Sequence, residues 1–90
     1  MKVWKYKIPC KAGTHRVLVQ TTHKVLPSLH YSMDDDTLGL YIAVNPEDRT
    51  TTDRWALVAK TGEEIRDQGM TFLGSVRTCS GEWYHVFLLD

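Results

Sequence analysis

The sequence predicts an all-β, single-domain protein, an antiparallel β-sandwich or open barrel of six to seven short strands within residues 1–90. Strand-like runs recur about every 12 residues, as they do in small sandwiches and barrels. The runs are rich in β-branched and aromatic residues, and short polar turns separate them. The apolar content of 42% is enough for one core in a chain of this length.

The first three predicted strands occupy the N-terminal third of the chain. Residues 2–8 alternate bulky and charged side chains, and residues 14–20 alternate valines with polar side chains. Residues 24–33 predict the third strand. Pro27 removes a hydrogen-bond donor from this strand, so we expect an edge position or a bulge there.

The middle of the chain predicts two more strands and two loops. Residues 38–44 and 54–60 are apolar runs of strand length, and the polar segment 45–52 between them is expected to be a mobile loop. Residues 63–69 have the length for one helical turn, but their high charge and Gly69 favour a loop.

The closing segment, residues 70–90, predicts a β-hairpin that turns at Ser80-Gly81. Both faces of its second strand are largely apolar, so this strand is expected in the centre of a sheet or at an interface. One face carries Trp83, His85, Phe87 and Leu89, and the other carries Tyr84, Val86 and Leu88. The core predicted from all strands comprises Trp4, Tyr6, Val17, Val19, Leu40, Ile42, Leu57, Phe72, Val76, Val86 and Leu88.

The charge balance limits the classes of partner. Basic and acidic residues both number 11, so the net charge is zero. Duplex-DNA binders usually carry a basic excess, so we expect none here, whereas a neutral surface does little to oppose self-association. A homo-oligomer is therefore expected.

The sequence also lacks the signals of export and membrane insertion. It has neither a run of 18 apolar residues nor the apolar segment of a signal peptide, so we expect a cytoplasmic protein without membrane contact. In that compartment Cys10 and Cys79 are expected to be reduced thiols. The sequence does not say whether these two cysteines lie close together.

No metal or cofactor site is expected. The spacing between His15, His23 and His30 is not that of known ligand pairs, and there is no Cys-x-x-Cys motif. The acidic run 34–36 lacks the following Gly and Glu of a calcium loop, which favours a solvated turn.

No catalytic residue is assigned. Cys79 and His85 lie on opposed halves of the hairpin, where a nucleophile and a base can approach each other. Nothing in the sequence supplies an oxyanion hole or an orienting third group, so we expect a protein that is not an enzyme.

Basic and aromatic residues suggest a binding pocket instead. Such residues hold nucleotides by base stacking and phosphate pairing. The simpler alternative is that the arginines face solvent and the aromatic side chains belong to the core. The candidate ligand-binding residues are Arg54, Trp55, Lys60, Thr61, Arg77, Tyr84 and His85.

Five short motifs in order along the chain carry a family resemblance: Trp4-Lys5-Tyr6, Val44-Asn45-Pro46, Lys60-Thr61-Gly62, Phe72-Leu73-Gly74-Ser75 and Tyr84-His85-Val86-Phe87. With them the chain resembles a family of small uncharacterised proteins encoded mainly by tailed bacteriophages and prophages. That family has Gly at the position of Lys60 and Trp at the position of Tyr84. The resemblance implies phage origin, an all-β fold and a non-virion accessory role, but no reaction.

Together these observations lead to one expected function and two alternatives. The expected function is an anti-defence protein that acts in the host cytoplasm and sequesters a nucleotide-type signal in a pocket of a homo-oligomer. The first alternative is an inhibitor or adaptor that acts on a host protein by direct contact. The second is a structural or assembly accessory that binds no small molecule.

Overall fold

The computed structural model describes residues 1–66 and 68–90 and contains seven antiparallel strands there and no helix. The all-β prediction is confirmed. The strands are β1 (Lys2–Pro9), β2 (Gly13–Gln20), β3 (His23–Ser32), β4 (Thr37–Val44), β5 (Thr51–Lys60), β6 (Met70–Arg77) and β7 (Trp83–Leu89).

The predicted strand bounds are close to the observed ones. The largest difference is in β5, which begins at Thr51 rather than at residue 54. Within the predicted loop 63–69, residues 63–66 and 68 have no regular structure, and Asp67 lies outside the described residues.

The strands form two sheets that do not close into a barrel. One sheet has three strands in the order β1-β4-β3, and the other has four in the order β2-β5-β7-β6. Strand β1 contacts β2, and β3 contacts β6, so the two sheets face each other across a shared core. The predicted β6–β7 hairpin is present, and β7 lies inside its sheet, between β5 and β6.

Both expectations for Pro27 are confirmed. Strand β3 is at the edge of the three-stranded sheet, and its pairing with β4 shifts register between Val25 and Leu29. The missing N–H of Pro27 falls inside this irregular stretch, where the ladder does not require it.

The core lies between the two sheets. Strand β4 contributes Leu38, Leu40, Ile42 and Val44, all of them fully buried. Burying one such side chain stabilises the fold by roughly 1.5–3 kcal/mol relative to exposure. The rest of the buried apolar cluster comprises Ile8, Cys10, Val17, Val19, Ala56, Val58, Leu73, Tyr84, Val86 and Leu88.

Three of the predicted core residues are wrong. Trp4 faces inward, but its edge strand leaves the side chain 39% exposed. Leu57 lies on the outer face because the register of β5 turns Ala56 and Val58 inward. Phe72 is also on the outer face and is 53% exposed. Alternation separates two apolar faces of a strand, but it does not say which of them faces the other sheet.

Candidate functional site

The candidate site is a cavity at one end of the four-stranded sheet, where β5 ends and the β6–β7 hairpin turns. Its volume is about 330 Å³, and it is lined by Lys60, Thr61, Gly81, Glu82 and Trp83. The backbone N–H of Thr61 donates to the carbonyl oxygen of Trp83 at 3.2 Å, which joins the end of β5 to the start of β7.

Glycines form the turns on both sides of this cavity. Gly62 and Gly81 have φ angles of +89° and +88°, in the region that side chains with a Cβ rarely adopt. The chain therefore turns tightly at Gly81, which lines the cavity, and at Gly62, which follows the lining residue Thr61.

A line of polar side chains runs beside the cavity on the outer face of the sheet. Nδ1 of His85 is 2.7 Å from Oγ of Ser75, and Nε2 is 2.7 Å from Oγ1 of Thr61. In a neutral imidazole one nitrogen donates and the other accepts, so one hydroxyl acts as acceptor and the other as donor. His85 thus fixes the orientation of both hydroxyl groups.

The positive charge of Lys60 is balanced by neighbouring groups. Its Nζ is 3.3 Å from a carboxylate oxygen of Glu82 and 5.9 Å from the centre of the Tyr84 ring. The hydroxyl of Tyr84 donates to Glu82 at 2.9 Å. This bond raises the pKa of Tyr84 to about 12, and together with Lys60 it lowers the pKa of Glu82. Glu82 is therefore ionised and Tyr84 protonated at neutral pH.

Arg77 supplies the remaining positive charge. It pairs with Trp83 across the β6–β7 ladder, and its Nη2 atom is 3.6 Å from the position that a Cβ on Gly81 would take. Among residues 1–66 and 68–90, Arg77 has no carboxylate within salt-bridge distance. Its guanidinium can therefore pair with an anion at this end of the sheet.

The structure brings together five of the seven predicted ligand-binding residues. Thr61, Arg77 and His85 lie around the cavity and its polar line, and Lys60 lies over the ring of Tyr84. Tyr84 itself is buried, as expected if this aromatic side chain belongs to the core.

The other two predicted residues lie elsewhere. Arg54 points between the sheets, where it donates to Nε2 of His23 at 2.8 Å and to the carbonyl oxygen of Leu89 at 3.3 Å. It therefore cross-links the two sheets. Trp55 is on the outer face of the four-stranded sheet, away from the cavity.

The candidate set omitted three residues that line the cavity, Gly81, Glu82 and Trp83, and one residue beside it, Ser75. Trp83 borders the cavity with 49% of its surface exposed, and Ser75 binds His85. The signal for Trp83 was present, because the alternation of β7 places it on the same face as His85. Ser75 becomes visible only with the register of β6 against β7.

A second cavity, of about 280 Å³, contains both cysteines. Neither is in a disulfide; Cys10 is buried and Cys79 is exposed. Burial, followed by the charges of Asp36 and Glu82, raises the pKa of the Cys10 thiol, which makes it a poor nucleophile. Cys79 lines this cavity, whereas both ring nitrogens of His85 bind hydroxyl groups at the other one.

Comparison with known proteins identifies the family. A family described as a domain of unknown function, DUF7352, has a model that matches residues 1–90. The chain belongs to the DUF7352 family. No curated protein and no solved structure matches the chain. The DUF7352 description states no activity, so we infer the function from the geometry of the site.

The described residues form neither a metal-ligand cluster nor a membrane-spanning helix. The described part of the chain has no group of three or more His, Cys, Asp or Glu side chains that fits a metal ion. In residues 1–66 and 68–90 there is also no helix long and apolar enough to cross a membrane.

Proposed function

We propose that this DUF7352 protein is a non-enzymatic phage accessory protein that binds a nucleotide-type small molecule in the cavity beside Trp83. The ligand would be a host signal, and its sequestration would act against bacterial defence. The five-motif resemblance to phage proteins supports the phage origin.

The observation that carries the proposal is the half-exposed indole of Trp83 beside an arginine without a carboxylate partner among the described residues. Every nucleobase can stack on an indole, and such stacking contributes ~1–3 kcal/mol per base. The planar guanidinium of Arg77 suits bidentate pairing with a phosphate. Trp83 and Arg77, which face each other across the β6–β7 ladder, would therefore bind the base and the phosphate of one ligand.

The size and polarity of the cavity agree with this ligand class. A volume of about 330 Å³ lies at the lower end of the roughly 300–1,000 Å³ typical of small-molecule sites. The hydroxyl of Thr61, oriented by His85, offers a hydrogen bond to a ribose or base edge.

The chemistry of the cysteines favours binding over catalysis. Cys10 is buried, and the pKa of its thiol is raised. His85, the candidate base for Cys79, is hydrogen-bonded to two hydroxyl groups through its ring nitrogens. Sequestration needs neither a nucleophile nor a base. The site provides the stacking surface and the positive charge that sequestration does need.

The test is calorimetric titration with ATP and cyclic di-AMP as probes. We expect at least one of them to bind, and Trp83→Ala and Arg77→Ala each to weaken that binding by about fivefold or more, in line with the stacking contribution. Arg49→Ala is the matched control, since Arg49 is exposed before the start of β5 and the site is at the end of β5. Wild-type affinity in the Trp83 and Arg77 variants, or no binding of either probe at millimolar concentration, would overturn the proposal.

A second candidate function is that of an inhibitor or adaptor that acts on a host protein by direct contact. The observation that favours it is the exposed apolar outer face of the four-stranded sheet, which includes Trp55 and Phe72. A host protein captured by the wild type and lost with Phe72→Glu, but retained with Trp83→Ala, would support this second function over the first.

A further inference from the structure

The two sheets have outer faces of opposite character. The outer face of the three-stranded sheet carries Lys5, Lys7 and Lys24, opposite Tyr41, Gly39 and Ala43 of β4. That is the solvated pattern expected of an antiparallel sheet with one buried face. The outer face of the four-stranded sheet does not follow it.

Six apolar side chains occupy the centre of that second face. They form two rows across β5, β7 and β6, and we call them the apolar face: Trp55, Leu89 and Met70 in one row, and Leu57, Phe87 and Phe72 in the other. The rings of Phe72 and Phe87 are in contact, with centroids 5.3 Å apart. Yet Trp55 is still 45% exposed and Phe72 53% exposed.

Polar and charged side chains lie only at the rim. Arg16 and Asp53 form an ion pair of 3.9 Å on the β2 side, and Ser75 with His85 borders the apolar face toward the cavity. An apolar centre with a polar rim is the usual anatomy of a protein interface. Contiguous exposed apolar patches of this kind mark interaction sites.

We propose that a second copy of this chain packs on the apolar face, face to face, to form a symmetric dimer. A two-fold axis places apolar rows against apolar rows, since the same patch is used on both copies. The outer face of the other sheet is a poor partner because pairing with it would remove the lysine ammonium groups from water. The net charge of zero adds no long-range repulsion between copies.

The outer face of the four-stranded sheet is close to the size that a specific contact needs. This whole face, with its polar rim, spans four strands about 4.8 Å apart and about seven residues long, which gives a footprint on the order of 450 Å² per copy. Because side chains stand up from the sheet, the accessible area exceeds this footprint. Two such faces therefore approach the roughly 1,200 Å² at which specific interfaces begin.

Single-stranded nucleic acid is a less suitable occupant. Aromatic side chains on a sheet do serve as stacking platforms, but they work together with a positively charged groove. Here Arg16 is paired with Asp53, and the centre of the face is half aliphatic. A second copy of the chain matches this composition better. The dimer requires no ligand, so it is independent of the function proposed above.

The test is sedimentation velocity from 1 to about 100 µM, a range that covers the affinities of typical interfaces. We expect the wild type to sediment at twice the chain mass of 10.3 kDa, and Phe72→Glu to weaken association by about a hundredfold or more. Val3→Glu is the control, since Val3 is 56% exposed on the outer face of the other sheet, and this variant should remain dimeric. Thermal unfolding checks that all three proteins are folded.

Three results would overturn the dimer. One is a monomeric wild type at the highest concentration. Another is a Phe72→Glu variant that is folded and associates like the wild type. The third is a monomer that binds a 20-nucleotide poly-dT probe through Phe72, which would assign the apolar face to single-stranded nucleic acid.

Discussion

Asp48 shows how a single side chain determines the structure of a loop between two strands. Its carboxylate accepts the backbone N–H of Thr22 at 2.9 Å, and from Thr50 both the backbone N–H at 3.0 Å and the hydroxyl at 2.7 Å. These bonds tie the loop before β5 to the β2–β3 turn. The hydroxyl of Thr50 and the two N–H groups lower the pKa of Asp48 to about 2.

Asp48→Asn is expected to destabilise the protein at neutral pH but not in strong acid. A carboxyl group whose folded pKa is depressed stabilises the fold above its unfolded pKa of about 3.9. This stabilisation is lost as the pH falls toward 2. The difference in urea midpoint between wild type and variant should therefore be largest near pH 7 and shrink below pH 4.

Glu47→Gln is the matched control for Asp48→Asn. Glu47 is exposed in the same loop, and its carboxylate makes no hydrogen bond to any described residue. Its substitution should leave the urea midpoint almost unchanged at both pH values. A pH-independent difference for Asp48→Asn would contradict the role given to its charge.

At the candidate site, the sequence predicts the position of some residues and not of others. Lys60 and Thr61 lie near His85 because β5 pairs with β7. The sequence predicted the turn after Thr61 and the β6–β7 hairpin, but not this pairing. Arg54 was misplaced because the side on which it points depends on the pairing of β5 with β2, which is not local. Tyr84, the predicted aromatic residue of β7, is buried, whereas Trp83 on the opposite face borders the cavity. The sequence does not distinguish them, because both faces of β7 are apolar.

At the scale of the strands, alternation was the reliable signal. It located every strand because side chains on a strand alternate with a period of two, and this is independent of tertiary contacts. It failed for Leu57, whose strand is apolar on both sides. It failed for Phe72 because a register shift between Phe72 and Gly74 puts Phe72 and Val76 on opposite faces of β6. On β4 only one face carries large aliphatic side chains, and there Leu40 and Ile42 were placed correctly in the core.

Two valine substitutions test this assignment of inner and outer faces. Val19 on β2 is fully buried, whereas Val3 on β1 is 56% exposed. Val19→Ala should reduce the free energy of unfolding by about 2 kcal/mol, since it removes two buried carbons and leaves a cavity. Val3→Ala should cost less than about 0.5 kcal/mol. Equal losses in chemical denaturation would contradict the assigned faces.

At the scale of the whole molecule, the assembly of the two sheets was beyond the sequence. Strand β1 pairs with β4, and β2 pairs with β5, across long stretches of chain. Local patterns do not encode such partners. The consequence is functional, because the pairing of β5 with β7 creates both the cavity beside Trp83 and the apolar face. The proposed ligand site and the proposed dimer contact would therefore lie on one sheet.

Native mass spectrometry can detect directly whether a ligand binds beside Trp83. The wild type and Trp83→Ala would each be exposed to a nucleotide-rich bacterial lysate, repurified and weighed intact. We predict that the wild type carries an added mass of a few hundred daltons per site and that Trp83→Ala has lost it. A wild type without added mass, or the same added mass on both proteins, would rule out ligand binding at Trp83.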